Sequence, residues 1–514
     1  MSDEQLHQTT QDVWADDRLG RKPYADFLTT YLRNRCVTEK DGARTLTPFC
    51  ISIDAKWGEG KTFFLQTWMA ALRQEARNPV FLFDAWTSDF DTDPIVAFMA
   101  AFKHALDAEI EKLPAAFEAK KSLADGVRKL GKAVVPTLKA LGRAVVEKHA
   151  PGFFGAVADI ATESESSNDG ETRLEEQLDS AKDTASEALF KSLLAESTKR
   201  KALIADFRTE IERTLRYLAD NGEVELPMFV FIDELDRCRP TFAVELLEGL
   251  KHIFNIPGLC FVVATNIEQL AHSVKAVYGE GFDGTAYLQR FFDVGYVLPR
   301  QDPTKYIHDL VSQKSVLAEG NCYSGVPQRG FIGYPQENGS HIALEWVATE
   351  FDLDLRSQRR VVEMASAVLE SFNKPHGRHA MWAFMLSAAY VKDRTLFECL
   401  KQDSPHATLV AAWRNAGLTP STRWFKERDG SRVSVELQTI AEAYVTARNG
   451  DTGSLCRKRD SAAERYDTAD YLWEFYRKLV DDCNSSLRQR ESSVRTVFSD
   501  YPQLVECAGF LTNP

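Results

Sequence analysis

Ala55-Lys56-Trp57-Gly58-Glu59-Gly60-Lys61-Thr62 directly follows the apolar run Phe49-Cys50-Ile51-Ser52-Ile53 and opens a helix-like segment from Phe63 to Leu72. Strand, glycine-bearing loop, Lys-Thr and helix, in that order, are the context in which a phosphate-loop pattern carries weight. The backbone N–H groups of Lys56 through Phe63, lying at a helix N-terminus, are expected to cradle nucleotide phosphates. Lys61 is expected to reach the β- and γ-phosphates, and the Thr62 hydroxyl to ligate Mg²⁺. The pattern usually begins with Gly, and Ala55 stands there instead. Alanine fits wherever φ stays negative, so the expectation of a bound nucleoside triphosphate holds.

A second motif supports it. Met228-Phe229-Val230-Phe231-Ile232 is an apolar run ending in Asp233-Glu234, which reads as a buried parallel strand capped by charge. Asp233 is expected to hold Mg²⁺ through its water shell, and Glu234 to act as general base on the attacking water. A strand that simply ends in a solvated acidic turn would look similar, but the upstream phosphate loop argues against that. Asp236, Arg237 and Arg239 follow at once. They read either as a contact to a neighbouring subunit or as a local salt-bridged turn.

The 514 residues leave room for two to four domains, and 44% hydrophobic with 27% charged residues is ordinary globular composition. A net charge of −13 excludes a globally basic nucleic-acid binder and leaves only regional contact. The nine cysteines are scattered without a C-x-x-C pair, which points to a reducing, cytoplasmic setting and no structural zinc. The N-terminus lacks signal-peptide features, and no apolar run is long enough to span a membrane.

Helical spacing over 13–35 predicts a first helix. Val80–Asp84 reads as a second strand, with a helix from Pro94; Thr241–Phe254 reads as a helix, and Leu259–Thr265 and Phe292–Leu298 as strands. Strands alternating with helices imply an α/β fold whose parallel sheet is covered by helices on both faces. Between the two motifs lies a long helical insertion. Residues 120–148 carry eight Lys/Arg against two acids, with Val127, Leu130, Val134, Leu138, Leu141 and Val145 at helical steps. That arm suits an anionic membrane surface, a nucleic-acid backbone, or packing on its own domain. Residues 159–187 invert the balance, with ten acids against two bases, and 161–172 read as a flexible linker. Helical pattern resumes over 187–218, and beyond 300 the chain reads as mostly helical around a Gly/Pro-rich interval, Tyr323–Ser340. The domain expectation is therefore 1–110 for the first part of the core, 111–200 for the insertion, 201–300 for the second part and 301–514 for a helical C-terminal region.

The chain resembles the KAP family of P-loop NTPases. Trp57-Gly-Glu-Gly-Lys-Thr62, Phe83-Asp-Ala-Trp86, Phe231-Ile-Asp-Glu-Leu-Asp-Arg-Cys-Arg-Pro240, Glu245–Phe254 with Pro257-Gly258, and Tyr287-Leu-Gln-Arg-Phe-Phe292 carry the likeness. Members commonly place membrane-spanning helices in the insertion; this chain lacks segments apolar enough for that. The resemblance implies an ATPase of the bacterial phage-exclusion or anti-phage defence type, with ATP and Mg²⁺ as cofactors. Asn266 sits where related ATPases place a water-orienting sensor, though Asn there also suits a helix cap. Arg290 is read as an arginine finger acting across a subunit interface of a homo-oligomer, and Arg356 as a second sensor. Partner proteins of a defence system are implied.

A competing reading is a nucleotide-responsive scaffold whose basic arm docks on membrane or nucleic acid. A GTPase is disfavoured by the lack of a convincing Asn-Lys-x-Asp segment.

Overall fold

The computed structural model describes residues 12–40, 43–75, 78–91, 93–111, 204–217, 224–251, 253, 255–318, 320–326, 339–373, 377–402, 406–418, 421–426, 432–465, 471–488 and 496–510. The basic run at 120–148, the acidic stretch at 159–187 and most of the Gly/Pro-rich interval lie outside them. The chain divides into two compact units: residues 1–15, 21–56 and 61–299, and residues 16–20, 57–60 and 300–514.

The first unit is built on a parallel sheet. Its strands β3 (Phe49–Asp54), β4 (Val80–Asp84), β5 (Met228–Asp233), β6 (Leu259–Thr265) and β7 (Val294–Val297) run in the order β4-β5-β6-β3-β7. Strands β1 (Val37–Lys40) and β2 (Ala43–Leu46) form a separate antiparallel hairpin that the sequence pattern does not announce. Every residue of β5 and β6 is buried. Their unbroken apolar runs are what a strand covered on both faces requires.

Alternation along the strands sorts side chains to two cores. Phe81, Phe83, Val230, Ile232, Phe261 and Val263 face the helices Pro94–Glu111, 204–217, Pro240–Leu250 and Ile267–Tyr278. Ile51, Ile53, Phe229, Phe231, Val262 and Ala264 face the helices Lys22–Cys36 and Lys61–Glu75. The helix after β3 thus leaves to one face and the helix after β6 to the other, although these strands are neighbours. That divergence opens a crevice at their carboxyl ends, where ligands bind in open α/β sheets.

The first helix is shorter than the spacing over 13–35 predicts. Gly20 takes φ +64°, and Pro23 sits in the first turn of a helix that starts at Lys22. A proline lacks the N–H that first-turn residues leave unpaired, so it suits a start and not an interior. Trp14 still reaches the core, its ring 6.4 Å from that of Phe64.

Among its described residues the second unit is mostly helical, with an antiparallel hairpin, Thr422–Lys426 with Arg432–Glu436. The apolar run near 346–370 divides into helices Gly339–Glu350 and Leu355–Glu370, separated where Asp352 takes φ +44° and Asp354 accepts the Ser357 N–H. Its core holds a fully buried His379, whose Nε2 lies 2.8 Å from Asp482. Lys478 Nζ completes the Asp482 carboxylate at 2.7 Å, so the buried charge is paired. No helix of the described residues is long and apolar enough to cross a membrane.

Trp68 anchors the phosphate-loop helix to the sheet. Its ring meets Phe231 edge-on at 5.1 Å and Phe64 at 5.7 Å, and its indole N–H donates to Thr29 Oγ1 at 2.8 Å. Trp68→Ala is expected to destabilise the first unit by about 3–5 kcal/mol, measured as a lowered urea midpoint in circular dichroism.

Candidate functional site

The carboxyl ends of β3, β5 and β6 converge because the strands are parallel and in register. Asp54 lies opposite Thr265, and Asp233 opposite Asp84. β6 separates the two motif-bearing strands. The Asp54 carboxylate accepts the Ile267 N–H at 3.0 Å, and the Ala55 N–H donates to the Thr265 carbonyl at 3.2 Å. These bonds tie the start of the loop to the end of β6.

Ala55 is buried, and it is not among the non-glycine residues with positive φ, which among the described residues are Glu234 and Asp352. Its methyl group therefore meets no backbone objection. Gly58 and Gly60 differ, with φ +83° and +76°. Left-handed glycines turn successive N–H groups toward one side, the concave arrangement that receives anions. The helix then begins at Lys61. Lys56 is exposed and Glu59 partly so, while the Trp57 and Phe63 rings stand in solvent at 46% and 41% exposure.

Lys61 is 7% exposed, yet its ammonium makes no hydrogen bond. Its ion-pair partner is Asp236, with Nζ 3.7 Å from Oδ1. A buried amine with unused donors is costly unless a ligand completes it. Two or three anionic oxygens at that spot are what the donor set lacks, so a triphosphate fits.

Asp233 is buried and accepts the Glu234 N–H at 2.9 Å. Burial nevertheless raises its pKa, against the lowering by that N–H, Lys61 and Thr62. A cation would reverse that balance. Among the described residues no group of three or more His, Cys, Asp or Glu could hold a metal by itself. Thr62 and Asp233 fit Mg²⁺ as a sparse protein set, with phosphates and water supplying the rest.

Glu234 takes φ +60° and ψ +23°, a left-handed conformation that costs a residue with a Cβ about 1 kcal/mol or more. One oxygen accepts from Thr62 Oγ1 at 3.2 Å, and the other lies 2.5 Å from Arg237 Nε. Burial first, then Asp233, raises its pKa, while Arg237 lowers it. A half-buried carboxylate with raised proton affinity suits a general base.

The structure thus gathers Lys61, Thr62, Asp233 and Glu234. Asn266 lies at the end of β6, where its side chain accepts the Gln269 N–H at 3.3 Å as a helix cap. Arg290 is exposed on a cavity of about 350 Å³ lined also by Cys50, Lys251 and Asp293, at the end of the sheet away from the phosphate loop. Arg356 is exposed in the first turn of the helix Leu355–Glu370, in the second unit. The residues after Glu234 form a local salt-bridged turn: Asp236 pairs with Lys61, Arg237 with Glu234, and Arg239 with Asp89 at 2.9 Å. Sequence reading missed the Arg237–Glu234 pair, because nothing in Glu-Leu-Asp-Arg announces the tight turn that makes it.

Residues 21–366 match the family model described as the KAP family P-loop domain. No curated protein matches the chain.

Gly60→Ala is expected to weaken nucleotide binding about tenfold, the cost of a left-handed residue with a Cβ. Ala55→Gly should leave it within about twofold, since no strain is relieved. Titration with a fluorescent nucleotide reads both.

Proposed function

The chain belongs to the KAP family of P-loop NTPases, and from that membership we propose that it binds Mg-ATP and hydrolyses it to drive or gate an assembly step. The observation that carries the reading is the buried Lys61 ammonium without a hydrogen bond, within the same cluster as Asp233 and Glu234. Such a constellation has an evident use in holding a triphosphate and little use as a structural device.

In the proposed mechanism the left-handed glycines and the helix N-terminus hold the phosphate oxygens, and Lys61 turns from Asp236 toward the β- and γ-phosphates. Thr62 and Asp233 would hold Mg²⁺, which when bound would supply positive charge to the phosphates. Glu234 takes a proton from water as the water oxygen bonds to the γ-phosphorus, and the bond to the bridging oxygen breaks to release ADP. Asn266 would orient that water, and capping a helix with its oxygen leaves its amide hydrogens for the task. Arg290, placed away from its own chain's loop, would serve a neighbouring subunit's site in a homo-oligomer. Arg356 would act as a second sensor.

The biological setting we propose is cytoplasmic, within a bacterial anti-phage defence system that supplies partner proteins. It rests on family resemblance and on the chemistry of a nucleotide-gated switch. The competing scaffold, docking through residues 120–148 on membrane or nucleic acid, would bind ATP without needing its hydrolysis.

Phosphate release separates the two. Wild type is expected to turn over, Lys61→Ala to lose nucleotide binding and turnover together, and Glu234→Gln to bind ATP while losing at least about 10²-fold in turnover. Equal rates in all three would sink the hydrolytic reading, and faster turnover with GTP than with ATP would overturn the base assignment.

A further inference from the structure

The ion pair of Arg237 with Glu234 is built from three separate features of the fold. Leu235–Arg237 form a 3₁₀ turn closed by the Arg237 N–H donating to the Glu234 carbonyl at 3.1 Å. The turn brings Arg237 back over Glu234, its Nε 2.5 Å from the carboxylate. Trp86 then packs on the guanidinium, its ring centre 5.5 Å away. Its place follows from the sheet: the Ala85 N–H donates to the Asp233 carbonyl at 3.1 Å, and the Asp84 carboxylate accepts the Thr87 N–H at 3.0 Å.

The neighbouring cations are engaged elsewhere. Arg239 turns away to Asp89, and Lys61 faces Asp236. Glu234 is left gripped from opposite sides, by the Thr62 hydroxyl on one oxygen and Arg237 on the other. A free glutamate has three side-chain torsions; this one has both ends of its carboxylate defined.

We infer that Arg237, clamped by Trp86, is a positioning residue that holds the Glu234 carboxylate in the attitude needed to receive a proton from water. The inference rests on the hydrolytic reading above. Magnitudes distinguish this role from a structural one. Arg237 is 30% exposed and Glu234 15%, and a partly buried ion pair of this kind contributes about 1 kcal/mol to stability after solvent screening. A base displaced by about 1 Å, by contrast, costs about 10²-fold in rate. The Phe83-Asp-Ala-Trp86 segment thereby gains a task that its distance in sequence from the Asp-Glu strand conceals.

The test measures turnover and fluorescent-nucleotide affinity for wild type, Arg237→Met, Arg237→Lys, Trp86→Leu, Glu234→Gln and the Arg237→Met/Glu234→Gln double variant. Arg237→Met is expected to lose about 10–100-fold in kcat with KM and nucleotide affinity within about twofold. Arg237→Lys should recover part of the loss, and Trp86→Leu should fall less far than Arg237→Met. Once Glu234 is Gln, adding Arg237→Met should cost nothing more, because residues acting as one unit are not additive. Wild type no faster than Glu234→Gln would remove the hydrolytic reading and this inference with it. Wild type faster than Glu234→Gln, but Arg237→Met equal to or faster than wild type, would overturn the inference alone. So would independent, multiplying losses in the double variant. Should Arg237→Met fail to fold, Trp86→Leu and Arg237→Lys decide, since full wild-type turnover in both overturns the clamp.

Discussion

A strand buried on both faces can place a charge only at its ends, and that constraint organises the first unit. β5 is apolar from Met228 to Ile232 and ends in Asp233; β3 ends in Asp54 and β6 in Thr265, all at one edge of the sheet. Because the strands are parallel, their polar ends accumulate on the same side instead of alternating. The helices after β3 and β6 leave to opposite faces, so the accumulated charge borders a crevice between them. The chemistry of the site is a consequence of sheet topology before any particular side chain is considered.

Within that crevice the charges are arranged without full compensation. Asp233, Glu234 and Asp236 stand within four residues, and the buried Lys61 faces Asp236 at ion-pair distance without a hydrogen bond. A protein selected only for stability would replace such a group with apolar residues, since buried pairs of imperfect geometry gain little over their desolvation. The left-handed backbone at Glu234 points the same way, because strain in a residue with a Cβ persists where surrounding structure over-determines it. Both features are tolerable because the surrounding cores are extensive, with Trp68 against Phe229 and Phe231 on one face and Phe98 against Phe81, Phe83 and Phe261 on the other.

The parallel sheet was legible because its strands carry the unbroken apolar runs that double burial demands, and β4 and β6 match the sequence reading residue for residue. The family came from resemblance to its motifs, and the P-loop architecture from a strand, loop and helix whose spacing phosphate binding dictates. Less legible was whatever depends on pairing. The hairpin Thr422–Lys426 with Arg432–Glu436 went unread in a region that reads as mostly helical, since a short strand is defined by a partner and not by its own pattern. The start of the first helix was masked by Trp14 and Leu19, whose apolar spacing imitates a helix while Gly20 and Pro23 set the boundary. In the site, Lys61, Thr62, Asp233 and Glu234 were readable as residue types. The Arg237 contact was not, because it requires the turn after Glu234 to be 3₁₀, a property no residue in Glu-Leu-Asp-Arg declares.

That turn shows how a few residues can satisfy several demands at once. Asp233 ends the strand and accepts the next N–H; Glu234 reverses the chain in a left-handed conformation; Asp236 faces Lys61 and accepts from the Thr265 hydroxyl at 3.3 Å. Arg237 returns over Glu234, and Arg239 fixes the loop after β4 through Asp89. Each residue is committed to a different neighbour, so the turn links β4, β5, β6 and the phosphate-loop helix.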